Sequence, residues 1–233
     1  MFSNRLLEKG GSIMELKQKL QNVVEFYYST VTLKNCERSG WRQWQIIRDG
    51  RVESIAEHIY GAQQLAIAMY SEFDIPIDIQ KVLTMLAIHE TEEIEIGDIT
   101  CCDGISPEEK LKMGIAAVND IYRNLQKKSK FIHLIDEFNA GETLEAKFAY
   151  CCDKMECDLM VKIYSDDGRL LVQNAVPHVA NDEYVKKYIA AGAQTVADVF
   201  HVNDKEKFNE IPEFKELFEF IISECAKEIC KKI

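Results

Sequence analysis

From Leu83 to Thr100 the chain reads LTMLAIHETEEIEIGDIT: an apolar run that ends in His89 and Glu90, continues through Glu92 and Glu93 and stops at Gly97-Asp98. A helix reaching about Ile96 sets His89 and Glu93 one turn apart on one side, with Glu90 beside them. An imidazole and several carboxylates at the mouth of a greasy helix must each be solvated, paired or bound to a cation. A divalent metal satisfies them together.

Two more polar residues interrupt apolar stripes. His58 shares a stripe with Ala62, Leu65 and Met69, where a lone histidine is more often a hydrogen-bonded core residue than a ligand. Asp153 falls among Ala146, Ala149, Cys157 and Met160, where an unpaired carboxylate is costly, and Lys154 could pair with it. Between Leu33 and Ser54 lie Arg38, Arg42, Arg48 and Arg51 with the only tryptophans, Trp41 and Trp44. Arginine suits bidentate phosphate recognition, and tryptophan could stack on a base or sugar. The plainer reading is a surface loop with solvated arginines and one buried indole.

The elements that must position these residues read as helices throughout. Helical periodicity marks 14–33, which reads as a packing helix. A second helix covers 53–73, opened by a Ser54/Glu57 capping box, and a third covers 78–96, closed by Gly97. Ser106-Pro107 opens a helix to about Lys127, whose C-terminal dipole Lys127, Lys128 and Lys130 complement. Residues 131–139, the stretch from Gly141 to Gly168, 182–200 and 212–230 complete the set. His133 carries little signal, and His178 and His201 read as surface residues. Neither period-2 alternation nor a βαβ rhythm occurs, so the expected fold is all-α. One domain over 1–233 is expected, with its core at about 30–200 and an N-terminal arm and last helix added. The Gly10-Gly11-Ser12 patch reads as a linker or an alternative start.

With 47% hydrophobic residues, 4 prolines and 11 glycines in 233 residues, a sizeable core is available. A net charge of −11 argues against a nucleic-acid polymer as partner. No apolar run approaches a membrane span, and the N-terminus lacks a signal peptide's apolar stretch. The 8 cysteines form no C-x-x-C pair and read as reduced thiols packed as small hydrophobes, which implies a cytoplasmic protein.

The order His58, then His89-Glu90, then a distant Asp153 resembles the HD-domain metal-dependent phosphohydrolase superfamily. The words LKNCERSGW, RVESIAEH, AIHETEEIEIGDIT and CCDKME are similar to its 5′-deoxynucleotidase (YfbR-like and HD-domain-containing-protein-2-like) branch, over roughly residues 30–200. The resemblance implies an HD-type helical bundle that hydrolyses (deoxy)nucleoside 5′-monophosphates. It implies one divalent ion (Mn, Co, Fe, Ni or Zn) held by His58, His89, Glu90 and Asp153. Glu93 and Asp98 would act on the attacking water and the leaving oxygen, Arg38 would bind the phosphate, and Trp41 would line the sugar side. A homodimer is expected as well. One departure stands out: the family pair is His-Asp, and here it is His-Glu. Glutamate adds roughly 1.5 Å of chain where metal–oxygen distances tolerate about 0.2 Å. The alternatives are another phosphohydrolase of this superfamily acting on a different nucleotide, a nucleotide-binding or interaction module disabled by Glu90, and a helical protein with ordinary ion pairs.

Overall fold

The structure, a computed structural model, describes residues 13–47, 51–100 and 102–229. The Gly10-Gly11-Ser12 patch, Arg48, Gly50, Cys101 and Cys230 lie outside them. The described chain is an all-α bundle: α1 (Ile13–Thr30), a 3-10 turn (Val31–Asn35), α2 (Ser39–Gln43), α3 (Ile55–Glu72), α4 (Ile79–Ile88), α5 (Glu93–Ile96), α6 (Pro107–Ile121), α7 (Lys128–Ala140), α8 (Leu144–Asp166), α9 (Pro177–Asn181), α10 (Glu183–Ala190), α11 (Val196–Asp204), α12 (Pro212–Ser223) and α13 (Ala226–Ile229). No strand forms among the described residues. An isolated antiparallel bridge joins Glu37 to Ser54 and brings the Arg38 segment to the start of α3.

The central rod is α8, which packs against α3, α4, α7, α11 and α12. Its sequence shows one stripe of small residues, but it is buried nearly all round, from Ala146 and Phe148 through Asp153 and Glu156 to Tyr164. A helix enclosed on all sides needs no polar face. The ring of Phe148 meets Phe214 of α12 edge-on at 5.1 Å. Truncating such a buried ring to alanine costs about 3–5 kcal/mol. Against this rod α3 lays Ile55, His58, Ala62, Ala66 and Met69, at helical spacing, and the two alanines let the backbones approach closely. Ser54 opens α3 with the full capping box, accepting from Glu57 N–H while the Glu57 carboxylate accepts from Ser54 N–H.

Five expectations need correction. The helix expected over 212–230 ends at Ser223, with a separate turn of helix over Ala226–Ile229. The helix expected over 78–96 stops at Ile88 and resumes at Glu93. His89 Nδ1–H donates to Leu86 O at 2.9 Å and Thr91 Oγ1–H to Ile88 O at 2.6 Å. Those are the carbonyls a continuing α-helix would give to the amides of residues 90 and 92; the His89 ring takes the first, and the hydroxyl and N–H of Thr91 take the second. The stretch 182–200 is two helices: Gly192 takes φ 105, a left-handed conformation suited to glycine, and Thr195 with Asp198 caps a fresh start. Lys127, Lys128 and Lys130 lie at the start of α7, because α6 ends at Ile121; Lys128 still donates to Arg123 O just past that end. His201 is buried, since it shares the spacing of Ala197 and Asp204 on the inner side of α11, and its ring meets Phe218 edge-on at 5.5 Å.

The arm α1 is a helix, but much of its apolar face is open: Leu20, Val23, Val24, Tyr27 and Tyr28 are all exposed. Phe26 holds it to the bundle against Tyr122 at 5.1 Å.

Candidate metal centre and active site

Three helices and one turn converge on the site. His58 lies in the second turn of α3 and Asp153 midway along α8; His89 caps the end of α4 and Glu90 follows in the turn. His58 Nε2 is 3.0 Å from Asp153 Oδ1 and 3.8 Å from Glu90 Oε1. His89 Nε2 is 3.6 Å from each of those oxygens. One ligand atom from each of His58, His89, Glu90 and Asp153 lies within 4.8 Å of the others. Ligands about 2.1 Å from a shared ion stand roughly 3–3.5 Å apart, so the spacing suits a cation at the centre. The chemistry of the donors fits as well: two imidazoles and two carboxylates suit first-row divalent metals. His89 Nε2 is buried without a hydrogen-bond partner, and its other nitrogen is committed to Leu86 O, so its lone pair faces the other three donors. The longer side chain of Glu90 still brings Oε1 into this group.

The charges of the cluster are interlocked. Burial opposes a charge on His58, as does the Arg38 guanidinium, but hydrogen bonds to Asp153 and Glu156 push its pKa up to about 9. Burial works against charging His89 too, and Glu90 and Asp153 outweigh it to raise its pKa. Burial would raise Asp153, but Lys154 at 2.8 Å and the two imidazoles hold it well below the usual carboxylate range. Glu90, despite its burial, is lowered chiefly by His89, with Arg38 and His58 adding to the effect. Two ionised acids thus face two imidazoles whose protons a divalent cation could replace.

Around this cluster stand the other expected residues. Arg38 Nη1 is 3.5 Å from Glu90 Oε1, and its Nη2–H donates to Cys157 Sγ at 2.9 Å. Glu93 opens α5, is 3% exposed and has one carboxylate oxygen without a partner. Burial, reinforced by Glu90 and Asp98, pushes its pKa up to about 10. Asp98 follows Gly97, whose φ of 73 turns the chain, and Asp98 Oδ2 accepts the Ser39 N–H at 2.6 Å. Glu92 turns away from the site to lie against Gly114 of α6.

Trp41 is placed elsewhere than expected. It is 2% exposed, its indole N–H donates to Glu53 Oε1 at 2.7 Å, and its ring stacks on Phe200 and meets Tyr164 edge-on. An indole enclosed in this way has no face to offer a sugar. Trp44 is buried in the same aromatic group.

Sequence reasoning missed Glu156, Cys157 and Glu53. Glu156 Oε2 is 2.5 Å from His58 Nδ1. The signal was available: Glu156 lies three residues after Asp153, on the same side of a helix. Glu53 lies beyond it; burial and the Glu156 charge push its pKa up to about 7 against the pull of the Trp41 hydrogen bond.

A family model described as HD domain matches residues 31–207. The 5′-deoxynucleotidase HDDC2 of Xenopus laevis is 27% identical over 148 residues, covering 63% of this chain and 71% of that protein. The 5′-deoxynucleotidase hdd1 of Schizosaccharomyces pombe is 31% identical over 144 residues, covering 59% of this chain and 70% of that one. A crystal structure of a predicted metal-dependent phosphohydrolase from Magnetospirillum magnetotacticum superposes with a TM-score of 0.63 over 90% of this chain and 96% of that one. Its 20% identity carries the fold alone. With three quarters of its length matched, the chain belongs to the HD domain family and is a relative of proteins named 5′-deoxynucleotidase.

Proposed function

We propose that this protein is a divalent-metal-dependent 5′-nucleotidase that releases phosphate from deoxynucleoside 5′-monophosphates. The observation that carries this reading is the meeting of four ligand atoms within 4.8 Å beside a largely buried guanidinium. His58, His89, Glu90 and Asp153 would hold the ion. Bound there, a divalent metal supplies charge that polarises the phosphoryl group and lowers the pKa of a water.

The chain's own groups take the remaining roles. Arg38 binds the substrate phosphate and offsets charge that develops on its oxygens, an effect strengthened by its exclusion from water. Glu93 orients the attacking water, and it would accept that water's proton once a divalent cation beside Glu90 offsets the burial and carboxylate charge that raise its pKa. Asp98, across the site and tied to the Arg38 segment, serves the departing 5′-oxygen. The relatives' printed names support the choice of substrate, and Mn, Co, Fe, Ni and Zn are the candidate ions. The protein works as a homodimer joined through the open apolar face of α1, which size-exclusion chromatography with light scattering checks. It acts in the cytoplasm, in keeping with Cys151, Cys152 and Cys157, which are packed as buried thiols.

The test is direct. Protein stripped of metal and reloaded with each candidate ion is incubated with the four deoxynucleoside 5′-monophosphates, and inorganic phosphate is expected. No phosphate with any ion sinks the reading. Pyrophosphate or triphosphate release from nucleoside triphosphates would assign a different phosphohydrolase.

A further inference from the structure

We propose that Glu156 is a positioning residue that fixes the tautomer and tilt of His58, and that glycine at position 61 exists to make room for it. This rests on the metal-centre reading above.

The geometry is reciprocal. On α8, Asp153 and Glu156 are three residues apart, so one side of the helix presents both to α3. On α3, His58 and Gly61 are likewise three apart and face them. Glu156 Oε2 lies 2.5 Å from His58 Nδ1, while His58 Nε2 points to Asp153 and Glu90. A carboxylate at Nδ1 keeps the proton there and leaves the Nε2 lone pair for an ion. The other carboxylate oxygen rests over Gly61: a Cβ at 61 would stand 2.5 Å from Glu156 Oε1 and 3.0 Å from its Cδ and Cγ. All three distances are too short, so any side chain at 61 displaces the Glu156 carboxylate and loosens the imidazole it holds.

His58, Glu156 and Cys157 also lie within 4.8 Å of one another. They do not form a second cage. Two ligands of one ion at about 2.1 Å each cannot be 2.5 Å apart, and Cys157 Sγ already accepts from Arg38. That side of His58 is a hydrogen-bonded support.

The experiment compares wild type, Glu156→Gln, Gly61→Ala and the double variant. Co2+ and Mn2+ affinity is read by competition with a chromophoric chelator, the Co2+ visible spectrum reports ligand geometry, and circular dichroism checks the fold. Each single variant is expected to bind 10–100-fold more weakly with an altered Co2+ spectrum. The double variant should lose no more than the worse single, because both act on one contact. Glu156→Gln binding as tightly as wild type with an unchanged spectrum overturns the role of Glu156, even where wild type binds well. Should Glu156→Gln not fold, Gly61→Ala decides: unchanged affinity overturns the proposal. A wild-type protein that takes up no ion sinks the metal centre itself, and this role with it.

Discussion

The main-chain N–H of Ser39 donates to Asp98 Oδ2 at 2.6 Å, so the segment that carries the phosphate-binding candidate Arg38 is clamped to the loop that carries a catalytic candidate. Asp98 thus has two separable duties. Asp98→Asn keeps an oxygen to accept the Ser39 N–H but cannot exchange a proton; kcat should fall about 10²–10⁴-fold with KM nearly unchanged. Asp98→Ala loses the clamp as well, so KM should rise in addition. Steady-state kinetics on one deoxynucleoside monophosphate separates the two, and identical KM values for both variants would remove the clamp from the account.

Glu93→Gln should lower kcat by about 10²–10⁴-fold while leaving ion affinity close to wild type, since Glu93 stands outside the four-ligand group. Parallel losses of activity and affinity would make it a ligand instead.

Arg38→Ala should raise KM at least tenfold and weaken binding of a non-hydrolysable phosphonate analogue. Arg38→Lys should recover little, because a point charge cannot reproduce the fork that reaches both Glu90 and Cys157.

Removal of the ion should destabilise the fold measurably. A ligand held at about 100 times its Kd adds about 2.7 kcal/mol, which for a chain of this size is roughly 5–10 °C in Tm. Differential scanning fluorimetry with and without chelator reads it. Asp153→Asn should abolish the difference, and a difference that persists in that variant would locate the ion elsewhere.

Stability should also depend on Asp158, a fully buried carboxyl on α8 whose oxygens have no hydrogen-bond partner. Burial, with Asp204 adding to it, pushes its pKa up to about 8 against the pull of Lys207 and Lys154. A raised folded-state pKa contributes stability that is complete below about pH 4, the unfolded value, and is lost as pH rises through about 8. Asp158→Asn carries no such proton, so its Tm should gain on wild type by several degrees between pH 5 and pH 8.5. A constant offset across that range would show that the carboxyl titrates normally.

Much of this was legible because local chemistry decides it. Ser54 with Glu57 and Ser106 with Glu109 cap helices by neighbours three residues away, and the structure forms both boxes. The meeting of His58, His89, Glu90 and Asp153 was legible because each violates its own apolar stripe. Long-range packing hid the rest. Trp41 and His201 carry polar atoms that suggest exposure, and only the arrival of Phe200 and Phe218 from distant helices buries them. Glu156 shares the Asp153 side of its helix, but only the packing of α3 shows that it meets the His58 ring. The break after Ile88 turned on which hydrogen bond the His89 ring would take, a choice no periodicity records.

That break also makes the segment a ruler. Between Ile88 and Glu95 the amides of Thr91, Glu93, Ile94 and Glu95 bond three residues back, before Ile96 and Gly97 return to bonds four back, so this turn is wound tighter than an α-helix and each of its residues advances about 120°. Inserting or deleting one residue here would swing Glu93 and Asp98 a third of a revolution away from His89. Natural variants of this protein should therefore vary in length at exposed connections such as the one around Gly192, and keep the count from His89 to Asp98 unchanged.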